Sequence, residues 1–123
     1  MTTFGRRGVT GRPVTIPAPP REDCPEREFK DWIVKVARER GWKVNHVWKT
    51  RNERGVWITT CAVGWPDLTL VRDGRIVFIE VKSKTGRVEP AQDEWLDELA
   101  KIPCAEVWVA DARQALEIAQ VLR

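Results

Sequence analysis

Two acidic residues and one lysine are spaced so that a β-hairpin would bring them to one face. Asp67 precedes one apolar run, Asp73-Gly74 separates it from a second run, and Glu80 and Lys82 lie at the end of that second run. Asp-Gly between two apolar runs predicts a type I′ turn of two residues, because both central residues of that turn take positive φ. The resulting register sets Asp67 opposite Glu80, and Lys82 points to the same face.

Carboxylates that face each other repel, so the predicted pair needs a counter-charge. A hard divalent cation fills this role, and Mg²⁺ suits the pair best because it typically takes one or two protein carboxylates together with water and substrate phosphate. Such an ion polarises a phosphoryl oxygen and activates a water molecule. Lys82 would position or deprotonate that water, or stabilise charge on the phosphate. The three residues therefore predict metal-assisted hydrolysis at a phosphate.

The alternative is an ion pair between Glu80 and Lys82 that serves only structure, as is common near strand ends. Residues 76–81 are apolar apart from Glu80, so the predicted strand is apolar on both faces. A strand of that kind is typically covered on both sides, where unpaired charges are costly. The surroundings of Glu80 therefore favour a site.

The elements that position these residues follow from periodicity and turn signals. Apolar residues at helical spacing predict a helix over Glu26–Arg40, which Gly41 ends. Four predicted strands follow, at Trp42–Lys49, Val56–Ala62, Asp67–Arg72 and Arg75–Lys82. A second helix, a strand and a third helix complete the chain, at Pro90 to about Lys101, Glu106–Ala110 and Ala112–Leu122. The order α-β-β-β-β-α-β-α predicts an α/β fold with a mixed β-sheet flanked by helices.

The composition is that of one folded domain with a basic extension. The chain has 123 residues, 42% hydrophobic and 32% charged, and its net charge of +3 agrees with a polyanionic partner. We predict a single domain over residues 23–123 and a flexible basic arm over residues 1–22, which is either a disordered tail or a phosphate contact. No apolar run is long enough to span a membrane and the start of the chain lacks a signal-peptide core, so we expect a cytoplasmic protein. Three cysteines without paired spacing fit a reducing compartment rather than a zinc site.

Taken together, the motifs resemble a superfamily of nucleases. The strings Gly64–Arg72 (GWPDLTLVR) and Ile79–Lys84 (IEVKSK), followed by Gly86-Arg87-Val88 and Gln92, are similar to the PD-(D/E)xK nucleases. Within them the chain resembles the VRR-Nuc group, especially small stand-alone phage and bacterial members, from Glu26 to about Leu122. The resemblance implies a restriction-endonuclease-like core and a Mg²⁺-dependent endonuclease, with Mn²⁺ as a substitute, that acts on DNA. It also implies structure-selective cutting of branched DNA or four-way junctions by a homodimer, in the host cytoplasm if a phage encodes the chain.

The resemblance also assigns roles to single residues. The metal ligands would be Glu26, Asp67, Glu80 and the Val81 carbonyl, and the catalytic residues Asp67, Glu80, Lys82 and Gln92.

Two of these residues have alternatives that the sequence leaves open. Glu22, Glu26 and Glu28 all compete for the acidic position on the first helix; helical geometry places Glu26 within the buried stripe and Glu28 outside it. Glu26 would alternatively complete a capping box with Asp23. Gln92 falls on the apolar side of the second helix, unless it is an exposed residue of the first turn.

Basic residues near the motifs are candidates for DNA contact, namely Lys84, Arg87, Arg51 and Arg54. For the last two, a solvated turn explains the pattern equally well. His46, the single histidine, is interpreted as a structural residue. The alternative function is a nucleic-acid-binding module that keeps the nuclease fold without turnover, although a retired site has no reason to keep opposed carboxylates.

Overall fold

The structure is a computed structural model that describes residues 15–47, 49–59 and 61–123. Three α-helices lie at Glu26–Glu39 (α1), Pro90–Ala100 (α2) and Ala115–Val121 (α3), the last preceded by a 3₁₀ turn at Ala112–Gln114. Six strands lie at Lys43–His46 (β1), Lys49–Arg51 (β2), Trp57–Thr59 (β3), Leu68–Arg72 (β4), Arg75–Val81 (β5) and Ala105–Ala110 (β6).

The main sheet has the strand order β1-β4-β5-β6, with β5 parallel to β6 and the other pairs antiparallel. Alternate β5 residues face opposite layers, as the pleat requires. Val77, Ile79 and Val81 join the hydrophobic core formed with α1 and α3, whereas Phe78 and Glu80 face the side on which α2 lies. The predicted α/β class with a mixed sheet flanked by helices is therefore confirmed, and the arrangement is that of a restriction-endonuclease-like core.

The β4–β5 hairpin has the predicted turn and register. Asp73 and Gly74 both take positive φ, at 47° and 80°, and the paired positions run from Arg72 with Arg75 to Leu68 with Ile79. The next pair in this register is Asp67 with Glu80, where Asp67 is the residue just before the start of β4.

The prediction of one continuous strand over Trp42–Lys49 is wrong. The ladder with β4 ends at His46, one more backbone hydrogen bond joins the Val47 N–H to the Asp67 carbonyl at 3.0 Å, and β2 then pairs with β3 in a separate two-stranded sheet. Trp42 lies before β1 and is buried, and its indole N–H donates to the Leu122 carbonyl at 2.9 Å. Alternation of apolar and polar residues indicates a strand but carries no information on its partner, so the change of sheet was not predicted. The strand expected over Val56–Ala62 is limited to Trp57–Thr59.

Part of the predicted N-terminal arm lies against the domain. Residues 1–14 of that arm lie outside the described residues, and residues 15–22 contain neither helix nor strand. Ile16 packs against the core, and the Pro17 carbonyl accepts a hydrogen bond from the Trp32 indole at 3.0 Å. Across the described ranges, no helix combines the length and the apolar character that crossing a membrane would require.

Candidate active site

Asp67 and Glu80 form a buried carboxylate pair at one end of the main sheet. Asp67 is 8% exposed and Glu80 is 2% exposed. Oδ2 of Asp67 accepts a hydrogen bond from the Val81 backbone N–H at 2.9 Å, in line with the register of the hairpin. This bond fixes the Asp67 carboxylate against β5, beside Glu80.

Gln92, in the first turn of α2, connects Glu80 with Lys82. Its Nε2 donates to Glu80 Oε2 at 2.9 Å, and its Oε1 accepts from Lys82 Nζ at 2.8 Å. Oε1 also accepts from the backbone N–H of Glu89, the residue that precedes the helix, at 2.8 Å. Lys82 Nζ is in turn 3.2 Å from Glu80 Oε2. The alternative interpretation of Gln92 as an exposed first-turn residue is therefore wrong. The Gln92 side chain bonds both the start of α2 and the site residues Glu80 and Lys82.

The loop before Asp67 approaches α2 unusually closely. Gly64 has φ +91°, and a Cβ at this position would lie 2.4 Å from the Ala91 carbonyl oxygen, in the same turn of α2 as Gln92. The next residue, Trp65, packs edge-on against Phe78 and Trp95, with ring centroids 5.7 Å and 5.0 Å away. The segment that carries Asp67 is therefore held between β5 and α2.

Burial and repulsion raise the pKa of Glu80 from its ordinary 4.5 to about 7. Burial contributes most, the negative charge of Asp67 raises the pKa further, and Lys82 partly opposes both. A second lysine faces the other carboxylate, since Lys30 Nζ lies 3.4 Å from Asp67 Oδ1 and both side chains are largely buried. Lys30 was not predicted as a site residue, although it lies four residues after Glu26 and therefore on the same face of α1.

The donor set fits a hard divalent cation. Asp67 and Glu80 supply carboxylate oxygens, and the Val81 carbonyl leaves β5 on the same side as the N–H that binds Asp67. Among residues 15–47, 49–59 and 61–123, no group of three or more histidine, cysteine, aspartate or glutamate side chains is placed to hold a metal ion. Asp67 and Glu80 are two carboxylates, and Mg²⁺ typically takes one or two protein carboxylates together with water and substrate phosphate.

Two grooves meet at Asp67. One, of about 670 Å³, is also lined by Glu26, Lys30 and His46, and the other, of about 210 Å³, by Gln92 and residues of the loop before Asp67. Trp57 lines both grooves. Burial, and then the charge of Lys30, lower the pKa of His46.

The structure separates the three acidic candidates on and before α1. Glu26 lines the larger groove with Asp67 but does not join Asp67 and Glu80 in a three-ligand group. Glu28 lines a different groove, with Pro17, and Glu22 is exposed. The capping interpretation of Glu26 is wrong, because α1 is capped by Pro25 and no side chain makes a capping hydrogen bond.

The basic residues predicted to contact DNA lie on two separate exposed segments. Lys84 and Arg87 belong to the loop between β5 and α2, whereas Arg51 and Arg54 belong to the β2–β3 hairpin. Their contact with DNA remains a prediction.

Comparison with protein families identifies one domain. The family model of the VRR-NUC domain matches residues 30–114, a span that includes Asp67, Glu80, Lys82 and Gln92 but begins after Glu26. Comparison with curated proteins gave no match.

Proposed function

The chain belongs to the VRR-NUC domain family of the PD-(D/E)xK nucleases, and from this membership we propose that it is a divalent-metal-dependent endonuclease that hydrolyses DNA phosphodiester bonds. The family accounts for the nuclease-type function and for a nucleic acid as substrate. The observation that carries the rest is the buried Asp67–Glu80 pair, with Lys82 and Gln92 hydrogen-bonded beside it.

In the proposed site, Asp67, Glu80 and the Val81 carbonyl would hold the cation, and Glu26, which lines the same groove as Asp67, would add negative charge to it. The bound cation supplies Lewis-acid polarisation of the scissile phosphate. Without a cation, the pKa of Glu80 is about 7. Glu80 must therefore release its proton for both carboxylates to be charged. Mg²⁺ is the proposed ion, with Mn²⁺ as a substitute, since both accept oxygen ligands in an octahedron.

Lys82 and Gln92 act on the substrate side of the pair. Lys82 Nζ lies 3.2 Å from Glu80 Oε2. There it would stabilise charge that develops on the phosphate or orient the attacking water. Gln92 fixes the direction of Lys82, because its Oε1 accepts from Lys82 Nζ while its Nε2 donates to Glu80.

The test is cleavage of labelled linear, nicked, flapped and junction DNA with Mg²⁺, Mn²⁺ or EDTA. Asp67→Asn and Lys82→Met are each expected to lower the cleavage rate by roughly a thousandfold or more. Asp73→Asn is the matched control, since it makes the same chemical change on the same hairpin where the side chain is 90% exposed. Cleavage that persists in EDTA, or in the Asp67→Asn variant, contradicts the proposal.

The finer part of the proposal is selectivity for branched DNA by a homodimer. A four-way junction has nearly two-fold symmetry, which matches two sites related by the axis of a symmetric dimer. The expected results are faster cleavage of the junction than of linear duplex and a dimer mass by analytical ultracentrifugation. A monomer that cuts linear duplex equally fast contradicts this part alone.

A non-catalytic binding module is the second candidate function. The exposed basic residues Arg51, Arg54, Lys84 and Arg87 would serve binding equally well without turnover. Tight binding of the same DNA set, with no cleavage in either metal, is the result that favours the module.

A further inference from the structure

Exposed apolar side chains concentrate at the β2–β3 hairpin and the loop that follows it. Val56, Trp57, Ile58 and Val63 are 55%, 60%, 49% and 77% exposed. In the described ranges these are four of the eight large hydrophobic residues that are exposed, so half of them fall in one short stretch. Contiguous apolar surface is typical of contact sites, and Trp57, Ile58 and Val63 all line the groove of about 210 Å³ at Asp67.

The hairpin is also positively charged. Residues 49–59 contain Lys49, Arg51 and Arg54 against a single acidic residue, Glu53. The Arg51 guanidinium carbon lies 4.9 Å from the centroid of the Trp57 ring, so one face of the ring carries a cation. The turn is ordered by Asn52, whose Oδ1 accepts from the backbone N–H groups of Arg54 and Val56 at 2.9 Å each.

The combination of exposed apolar residues and positive charge distinguishes between two candidate partners of the β2–β3 hairpin. A second copy of the chain related by a two-fold axis would set the same positive hairpin against itself, where like charges repel. A nucleic acid offers phosphates to Arg51 and Arg54 and flat base faces to Trp57.

The position of Trp57 limits which nucleic acid would fit. Trp57 lines both of the grooves that meet at Asp67. A strand with its phosphate at Asp67 therefore carries its neighbouring bases past the Trp57 ring. Bases of an intact duplex are stacked on each other, so only an unpaired or unstacked base presents a free face to the ring.

We propose that the β2–β3 hairpin contacts the substrate through Trp57, which stacks on an unpaired or unstacked base next to the scissile phosphate while Arg51 and Arg54 bind the flanking phosphates. This inference rests on the proposed nuclease function and narrows its substrate to DNA with an unpaired or unstacked base at the cleavage position. Arg51 holds one face of the ring and leaves the other to the base.

The test is fluorescence anisotropy in EDTA with labelled single-stranded DNA, forked DNA and blunt duplex. Trp57→Ala is expected to weaken binding of single-stranded and forked DNA by about tenfold and to change duplex binding by less than about twofold. Trp57→Phe keeps an aromatic ring and is expected to restore most of the loss. Leu116→Ala is the matched control, because Leu116 is 71% exposed on α3, outside the residues that line the two grooves.

A second measurement reports stacking directly. A 2-aminopurine base placed at the fork is expected to lose fluorescence on binding the native chain and to keep it with Trp57→Ala. Equal loss of affinity for all three DNAs, or no loss for any, overturns the inference. So does a Trp57→Ala variant that changes from dimer to monomer by ultracentrifugation, since the hairpin would then be a protein interface.

The two proposals fail separately. If the native chain cuts DNA in a metal-dependent way but Trp57→Ala binds normally, only the stacking inference is lost. If the 2-aminopurine signal depends on Trp57 but no metal supports cleavage, the nuclease proposal fails and the contact remains.

Discussion

Two antiparallel hairpins meet near Asp67, and their surroundings are opposite. The β4–β5 hairpin lies between β1 and β6 and buries Asp67 and Glu80, whereas the β2–β3 hairpin forms its own sheet and leaves 60% of Trp57 exposed. Burial shifts the pKa of a carboxyl and requires fixed partners for it, while exposure keeps the apolar face of a ring available. In the proposed function, the buried β4–β5 hairpin holds the catalytic carboxylates in place. The exposed β2–β3 hairpin contacts the substrate.

The largest expected difference between the two regions concerns their glycines. Gly64→Ala is expected to lower the free energy of unfolding by about 4 kcal/mol, because it adds a Cβ 2.4 Å from the Ala91 oxygen at φ +91°. Gly55→Ala, in the β2–β3 turn, meets nothing within 4 Å at φ +78° and is expected to cost about 1 kcal/mol. Urea denaturation of both variants measures the contrast, and equal losses would remove the distinction between the fixed loop before Asp67 and the open β2–β3 turn.

The next effect is a pH dependence of stability at Glu80. The folded chain holds the Glu80 proton more tightly than the unfolded chain, since the pKa rises from 4.5 to about 7. The stability that this proton contributes is present below pH 4.5 and is lost as the pH rises through about 7. In EDTA, Glu80→Gln is therefore expected to match the native chain at low pH and to exceed it by roughly 2–3 kcal/mol above neutrality.

Glu106→Gln on β6 is the control of opposite sign. A side-chain hydrogen bond from Arg75 lowers the pKa of Glu106, so its contribution is present above its ordinary pKa and is lost as the pH falls. This variant is expected to be less stable than the native chain at neutral pH and equal to it in acid. Urea denaturation from pH 3 to pH 8 follows both variants, and parallel pH profiles would contradict the assignment for Glu80.

A smaller effect is expected at Gln92, on turnover rather than on binding. Gln92→Leu removes the hydrogen bonds to Glu80 and Lys82 and is expected to slow cleavage by about 30-fold, with anisotropy-measured DNA affinity unchanged. Gln120→Leu, on the exposed side of α3, is expected to cleave normally. A weaker DNA affinity without a slower cleavage rate would show that Gln92 contributes to DNA binding rather than to turnover.

The smallest effect is expected at Lys30, the cation beside Asp67. Lys30→Met removes a positive charge 3.4 Å from the Asp67 carboxylate and is expected to raise Mn²⁺ affinity by about fivefold in the absence of DNA. Lys35→Met, on an exposed position of the same helix, is expected to leave it unchanged. Isothermal titration calorimetry measures both affinities, and a weaker affinity in Lys30→Met would show that Lys30 supports the site instead of competing for it.

The parts of the fold that depend on local chemistry were predictable from the sequence. Asp73-Gly74 requires a specific turn, and that turn alone placed Asp67 opposite Glu80. Helical spacing likewise favoured Glu26 over Glu28, and Glu26 lines the same groove as Asp67 whereas Glu28 lines a different one.

The parts that depend on partners distant in the chain were not predictable. Apolar and polar residues continue to alternate from β1 towards β2, yet the two strands belong to different sheets. The sequence alone indicates an ordinary exposed helix residue at Lys30. Its contact with Asp67 depends on how α1 packs in the folded chain. The importance of Trp57 depends on its exposure and on the two grooves beside it, neither of which is a property of the sequence pattern.

The hydrogen bonds of Gln92 have a consequence for the order of folding. Asp67 and Val81 are 14 residues apart, Glu80 and Gln92 are 12 apart, and Lys82 and Gln92 are 10 apart. Short loops close at low entropic cost, and contacts between near neighbours in sequence form early. Trp42 and Leu122, by contrast, are 80 residues apart. During refolding, the carboxylate pair and its lysine are therefore expected to assemble before Trp42 and Leu122 come into contact.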